Sequence, residues 1–84
     1  MNKITKITEE KAVYIMTRNC LADVYASHKE IGFILKIEYF NSNDVRVYDL
    51  LSGRTANFEY GELEYFTANK DWINQIIFEE IRKQ

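Results

Sequence analysis

Between Ile31 and Phe66 apolar and polar residues alternate in short runs separated by turn-forming residues, and this pattern constrains the fold more than any other part of the chain. Phe33, Leu35, Ile37 and Tyr39 put apolar groups on one side of a strand at the two-residue period, with Lys36 and Glu38 between them. The other side is mixed, because Ile34 and Phe40 share it with those charges. Asn41, Ser42, Asn43 and Asp44 favour turns and tolerate left-handed backbone, so a hairpin is expected there. Val45, Val47 and Asp49 then alternate with Arg46 and Tyr48, and Ser52-Gly53 supplies a second turn in which glycine takes positive φ without a Cβ clash. Ala56, Phe58 and Tyr60 follow, alternating with Thr55, Asn57 and Glu59. The whole reads as an antiparallel meander.

Beyond it, Gly61 permits a corner, and Glu62 to Phe66 is expected to be a closing strand with Leu63 and Tyr65 turned inward. Thr67 or Asn69 caps a helix over 69–83, in which Ile73, Ile76, Ile77 and Ile81 share a face at the spacings i, i+3, i+4 and i+8. Trp72 and Phe78 flank that stripe, and Glu80 projects from within it, as expected of a last turn that runs past the core or meets a partner. Arg82 and Lys83 suit the negative end of the helix dipole.

Two periods fit residues 8–19. As a helix, Thr8 caps, Glu9 and Glu10 face the dipole, and Val13, Met16, Cys20 and Val24 form a stripe. As strand, Val13, Ile15 and Thr17 alternate, with Arg18, Asn19 and Cys20 turning into a second segment. Ala22 to Ser27 reads as strand, ahead of a polar loop and Ile31-Gly32.

The succession Asp23-Val24-Tyr25, polar loop, Ile31-Gly32-Phe33-Ile34, Val45-Arg46-Val47-Tyr48, Ser52-Gly53, Phe58-Glu59-Tyr60 and Glu62-Leu63-Glu64 resembles small SH3-like barrels of the Tudor and KOW kind, over residues 22–66. That resemblance implies a fold and no activity, since such barrels bind peptides, RNA, DNA and proteins alike. The fold expected is α+β and a single domain over 1–84: a small, strongly bent antiparallel sheet or SH3-like barrel, with an amphipathic C-terminal helix and an N-terminal helix or strand.

Catalysis needs groups that can meet, and few are present. His28 is the one histidine and lies in a polar loop with Lys29 and Glu30, where a solvated residue is commoner than a general base. With it, the lone Cys20 makes neither a structural zinc site nor a triad, because no third orienting group or ligand spacing accompanies them. A single cysteine excludes an intramolecular disulfide, and a free one is more often a small buried apolar residue. Gly32, Gly53 and Gly61 are isolated and form no phosphate cradle. No enzyme, metal or cofactor is expected. Lys3 and Lys6 precede no apolar run and no stretch reaches the ~20 apolar residues of a membrane span, so no signal peptide and no membrane partner are expected and the cytoplasm is the default location.

The charge of −2 is uneven: residues 1–56 carry +1 and residues 57–84 carry −3. Glu59, Glu62, Glu64, Asp71, Glu79 and Glu80 make the second part acidic, a face that is solvated or meets a basic partner. Aromatics are numerous for so small a core, and the alternation puts Phe40 and Tyr48 outward near Arg46 and Lys36. Aromatic and Arg side chains in that arrangement are typical of interfaces. The expectation is a protein-binding module that modulates or inhibits its partner through Phe40, Arg46, Tyr48, Glu62, Glu64, Trp72 and Phe78. Its small size and its mix of abundant Ile, Asn and Lys without Pro fit a phage or mobile-element accessory protein acting on host machinery. The alternative is an RNA- or single-strand-binding module using Lys36, Arg46, Tyr48 and Arg54. A homodimer through Trp72 and Phe78 is compatible with either.

Overall fold

A computed structural model describes residues 4–19, 21–30 and 34–83. Cys20, Ile31, Gly32 and Phe33, on which parts of the sequence reading rest, lie outside the described residues. The elements in chain order are β1 (Ile4–Ile7), α1 (Glu9–Arg18), β2 (Val24–His28), β3 (Leu35–Phe40), β4 (Val45–Asp49), β5 (Thr55–Phe58), β6 (Leu63–Ala68) and α2 (Lys70–Arg82), with a single 3₁₀ turn at Tyr60–Glu62 before β6.

For residues 8–19 the helical period prevails. Thr8 Oγ1 accepts from Lys11 N at 3.1 Å, and Glu9 and Glu10 occupy the first turn. The buried residues of α1 are Ala12 and Met16, so Met16 of the expected stripe is packed while Ala12 takes the place of Val13, which is half-buried. Val24 belongs to β2 instead.

The strands form one sheet in the order β1-β6-β2-β3-β4-β5, every neighbouring pair antiparallel. The meander holds from β2 to β5. At its first turn Asn41 N donates to Asp44 O at 2.8 Å; at the second, Gly53 has φ +76° and donates to Asp49 O at 2.9 Å. β6 then does not close against β5. It inserts between β2 and β1, with Val24 opposite Thr67 and Ile4 opposite Ala68. The sheet is therefore open, with β1 and β5 as edges, and no SH3-like barrel is formed. The strand that the meander lacks for closure is used instead to tie the N-terminus in.

Alternation assigns the side chains to two faces. Val24, Ala26, Leu35, Ile37, Val45, Val47, Leu63 and Tyr65 pack under Ala12 and Met16 on the inner face. Tyr25 and Phe66 receive Ile73 of α2 on the outer face. The sheet curls toward α1: His28 and Phe58, both inward, have ring centroids 5.2 Å apart although β3 and β4 lie between their strands. In a flat sheet their backbones would be separated by three strand spacings, roughly 14 Å. The curl is locked by the Tyr60 hydroxyl donating to Asn41 O and by the Tyr65 hydroxyl donating to Tyr60 O at 3.0 Å.

α2 is capped by Asn69, whose Oδ1 accepts from Asp71 N at 2.8 Å. Of the expected isoleucine face only Ile73 is buried; Ile76 and Ile77 are half-buried and Ile81 is 53% exposed. The helix begins where β6 ends and descends the outer face past Tyr25 and Phe66, so that its last turns outrun the apolar ground beneath them.

Candidate interaction face

α2 covers the outer face over β6 and β2 and leaves it open over β3, β4 and β5. A β-bulge decides what is displayed there. Ile37 pairs with Val47 and Tyr39 with Arg46, so Glu38 is an extra residue on β3 and the alternation slips by one. Tyr39, expected inward, is turned outward and is 48% exposed. Phe40, expected outward, is turned inward, where its ring meets Tyr60 at 5.4 Å and Tyr65 at 5.9 Å. The sequence carries no mark of the slip, because a strand ending in Tyr39-Phe40 alternates equally well with either ring inward.

Arg46, two residues before Tyr48 on β4, occupies the centre of the open face. Its guanidinium is held on three sides, by Nη1 to Asn57 Oδ1 at 3.1 Å, Nη2 to Thr55 Oγ1 at 2.8 Å and Nε against Glu38 Oε2 at 3.5 Å. The bulge residue thus has a use: Glu38 reaches an arginine that would otherwise carry an unopposed charge. Tyr48, 36% exposed, stands beside it, directly opposite Lys36 of β3. The result is a polar, rigid centre flanked by Tyr39 and Tyr48, displayed on strands and not on loops.

Lys36 differs from Arg46 in kind. Its Nζ donates to Ala22 O at 2.6 Å and lies 5.6 Å from the Tyr25 ring centroid. Burial pushes its pKa below the ordinary lysine value, with nearby Asp23 opposing the shift and Lys70 adding to it. It serves to seat the Ala22 corner on the sheet. Arg54, the residue before β5, belongs to the inner side at the mouth of a cleft of about 380 Å³ floored by Leu35, Val47, Ala56 and Phe58.

The remaining expected site residues are dispersed. Glu62 accepts from Glu59 N at 2.9 Å in a reciprocal cap of the 3₁₀ turn, a structural role. Glu64 is exposed on β6, separated from β4 by β2 and β3. Trp72 is half-buried against Tyr25, Phe66 and Ile73, and Phe78 is 61% exposed with the Arg82 guanidinium 5.8 Å from its ring. Of the seven, the structure brings only Arg46 and Tyr48 together.

His28 Nδ1 accepts from Glu30 N at 3.2 Å, and its ring lies on Phe58. Among the described residues no group of three or more His, Cys, Asp or Glu side chains is placed to hold a metal. No helix among them is long and apolar enough to cross a membrane. Comparison with family models, with curated proteins and with solved structures finds no match for this chain.

Proposed function

We propose that the chain is a non-enzymatic binding protein that docks on another protein through the open outer face and thereby modulates or inhibits it. The observation that carries this reading is the pair Tyr39 and Tyr48 around a guanidinium already held by Glu38, Thr55 and Asn57. Fixing the arginine beforehand lowers the entropy lost on docking, and tyrosine offers wide contact area with few rotors. A nucleic-acid surface asks for donors free to meet phosphate. Arg46 is already engaged by Asn57 and Thr55 and has its charge opposed by Glu38, Lys36 is tied to Ala22, and Arg54 lies on the opposite side of the sheet from Tyr48. The net charge of −2 points the same way.

The test is a pull-down from lysate with the intact chain and with the double variant Tyr39→Ser, Tyr48→Ser, each with and without nuclease and at low and high salt. The expected result is a protein captured by the intact chain, retained after nuclease and at high salt, and lost from the variant while its circular dichroism is unchanged. Loss on nuclease treatment, or equal capture by the variant, would overturn the reading.

A further inference from the structure

The two edges of the sheet are not alike. β1 carries Lys6 within its four residues, a charge of the sort that discourages strand addition, and beside it lie Glu9, Lys29 and Glu64. β5 reads Thr55-Ala56-Asn57-Phe58, with no charge and no proline, and its first three residues are exposed. An edge of this composition leaves one row of backbone donors and acceptors with nothing to discourage pairing.

What flanks β5 is suited to a strand laid beside it. On the inner side Ala56 and Phe58 open into the cleft of about 380 Å³ floored by Leu35 and Val47, room for one or two aliphatic side chains. On the outer side Thr55 and Asn57 border the Arg46 and Tyr48 face. Successive residues of an added strand point alternately to these two environments, apolar within and polar without. At the mouth of the cleft the exposed Arg54 guanidinium has no hydrogen-bond or ion-pair partner among the described residues. Asp49, a carboxylate of the same rim, instead accepts from Leu51 N at 2.9 Å and closes its own turn.

We propose that β5 takes an extended segment of the partner protein as a seventh, antiparallel strand, with apolar side chains entering the cleft at alternate positions and a carboxylate toward the segment's C-terminal end set against Arg54. Antiparallel pairing follows the five pairings already in the sheet and places the C-terminal end of the segment at the Arg54 end of β5. A second copy of this chain is a poorer occupant. A two-fold pairing of β5 about Ala56 sets Arg54 against Phe58, and one about Asn57 sets it against Tyr60, so in neither does the guanidinium meet an anion. This inference rests on the protein-docking reading and names the edge and the backbone chemistry by which docking occurs.

The experiment is selection of a displayed library of random twelve-residue peptides on the full chain. The enriched peptides are then resynthesised with and without N-methyl groups at alternate backbone positions. Enriched sequences are expected to alternate aliphatic with polar residues and to carry Asp or Glu near the C-terminal end. N-methylation on the pairing side is expected to weaken binding at least tenfold, and peptide binding to slow amide exchange within 55–58. Ala56→Lys, at an exposed position that leaves the core untouched, is expected to weaken binding by a similar factor, and Arg54→Glu to abolish the acidic preference. Failure to enrich any peptide, enrichment indifferent to N-methylation, or protection at β1 and not at β5 would overturn it. Peptides lost with Tyr39→Ser, Tyr48→Ser but indifferent to Ala56→Lys would refute the edge while sparing the outer face. The reverse pattern would refute the outer face and keep the edge.

Discussion

Lys36 and three tyrosines give single residues a voice in how stability responds to pH. Burial lowers the folded pKa of Lys36 below 10.5, so in the interval beneath that value the unfolded chain holds a proton the folded chain has lost. Unfolding then becomes harder as pH rises through the interval. Tyr25, Tyr60 and Tyr65 go the other way: burial first, then neighbouring groups such as Asp23 and Glu9, raise all three above 10.0. Their contribution is full below pH 10 and is lost as pH climbs from there toward the folded values, because the unfolded tyrosines ionise first. The urea midpoint is therefore expected to rise modestly on the alkaline side of neutrality and to fall steeply above about pH 10. Lys36→Met should remove the rise, and Tyr65→Phe should make the fall shallower. Urea titrations at a series of pH values, with tyrosinate absorbance as the second probe, check both signs. Within the core, Ile37 is 1% exposed, and Ile37→Ala should cost roughly 2 to 5 kcal/mol. Tyr39→Ser, one bulge position away, should cost less than about 0.5 kcal/mol.

Among the elements, α2 shows most plainly what a sequence reveals and what it withholds. Its spacing identified a helix, and Asn69 and Arg82 marked its ends, because capping and periodicity are local properties. Which part of its apolar arc would be buried depends on how much of the outer face lies beneath it, and that is set by strands far away in the chain. The bulge on β3 was hidden for a like reason: inserting Glu38 reverses the assignments that follow it on β3, and only pairing with β4 shows the insertion. β1 was illegible because four residues, three of them exposed, have no pattern of their own until β6 lies beside them. Thus Val45, Val47, Leu63 and Tyr65 were placed correctly as inward residues, while Tyr39 and Phe40 exchanged sides. For α2 the consequence is measurable. Ile73→Ala should destabilise by roughly 2 to 5 kcal/mol, since it is the helix's one buried anchor among the described residues. Phe78→Ala and Ile81→Ala should each lie within about 0.5 kcal/mol of the parent, as both are more than half exposed. Urea denaturation of the three variants separates anchor from overhang.

At the scale of the whole molecule, topology orders the events of folding. The hairpin from β3 to β4 closes between neighbours, with Phe40 opposite Val45, and the hairpin from β4 to β5 closes around Gly53. The pairing of β1 with β6 joins Ile4 to Ala68 and cannot form until nearly the entire chain has been gathered. Loop closure must be met before such a contact repays it, so the local hairpins are expected to make up the transition state, and β1 to be added after it. Mutations on the two sides of that divide should then act on different rate constants. Val47→Ala, at a fully buried site in the hairpin, should slow folding with little change in unfolding. Ile7→Ala, at a half-buried site on β1, should leave folding nearly unchanged and accelerate unfolding. Stopped-flow chevrons of both variants in urea test the assignment, provided each destabilises by more than about 0.6 kcal/mol. Ile7→Ala appearing in the folding limb would mean that β1 and β6 meet early. The same order bears on the edges, because β5 is paired on its inner side in the first hairpins to form, so its outward row is presented on a strand that is already rigid when β1 is still free.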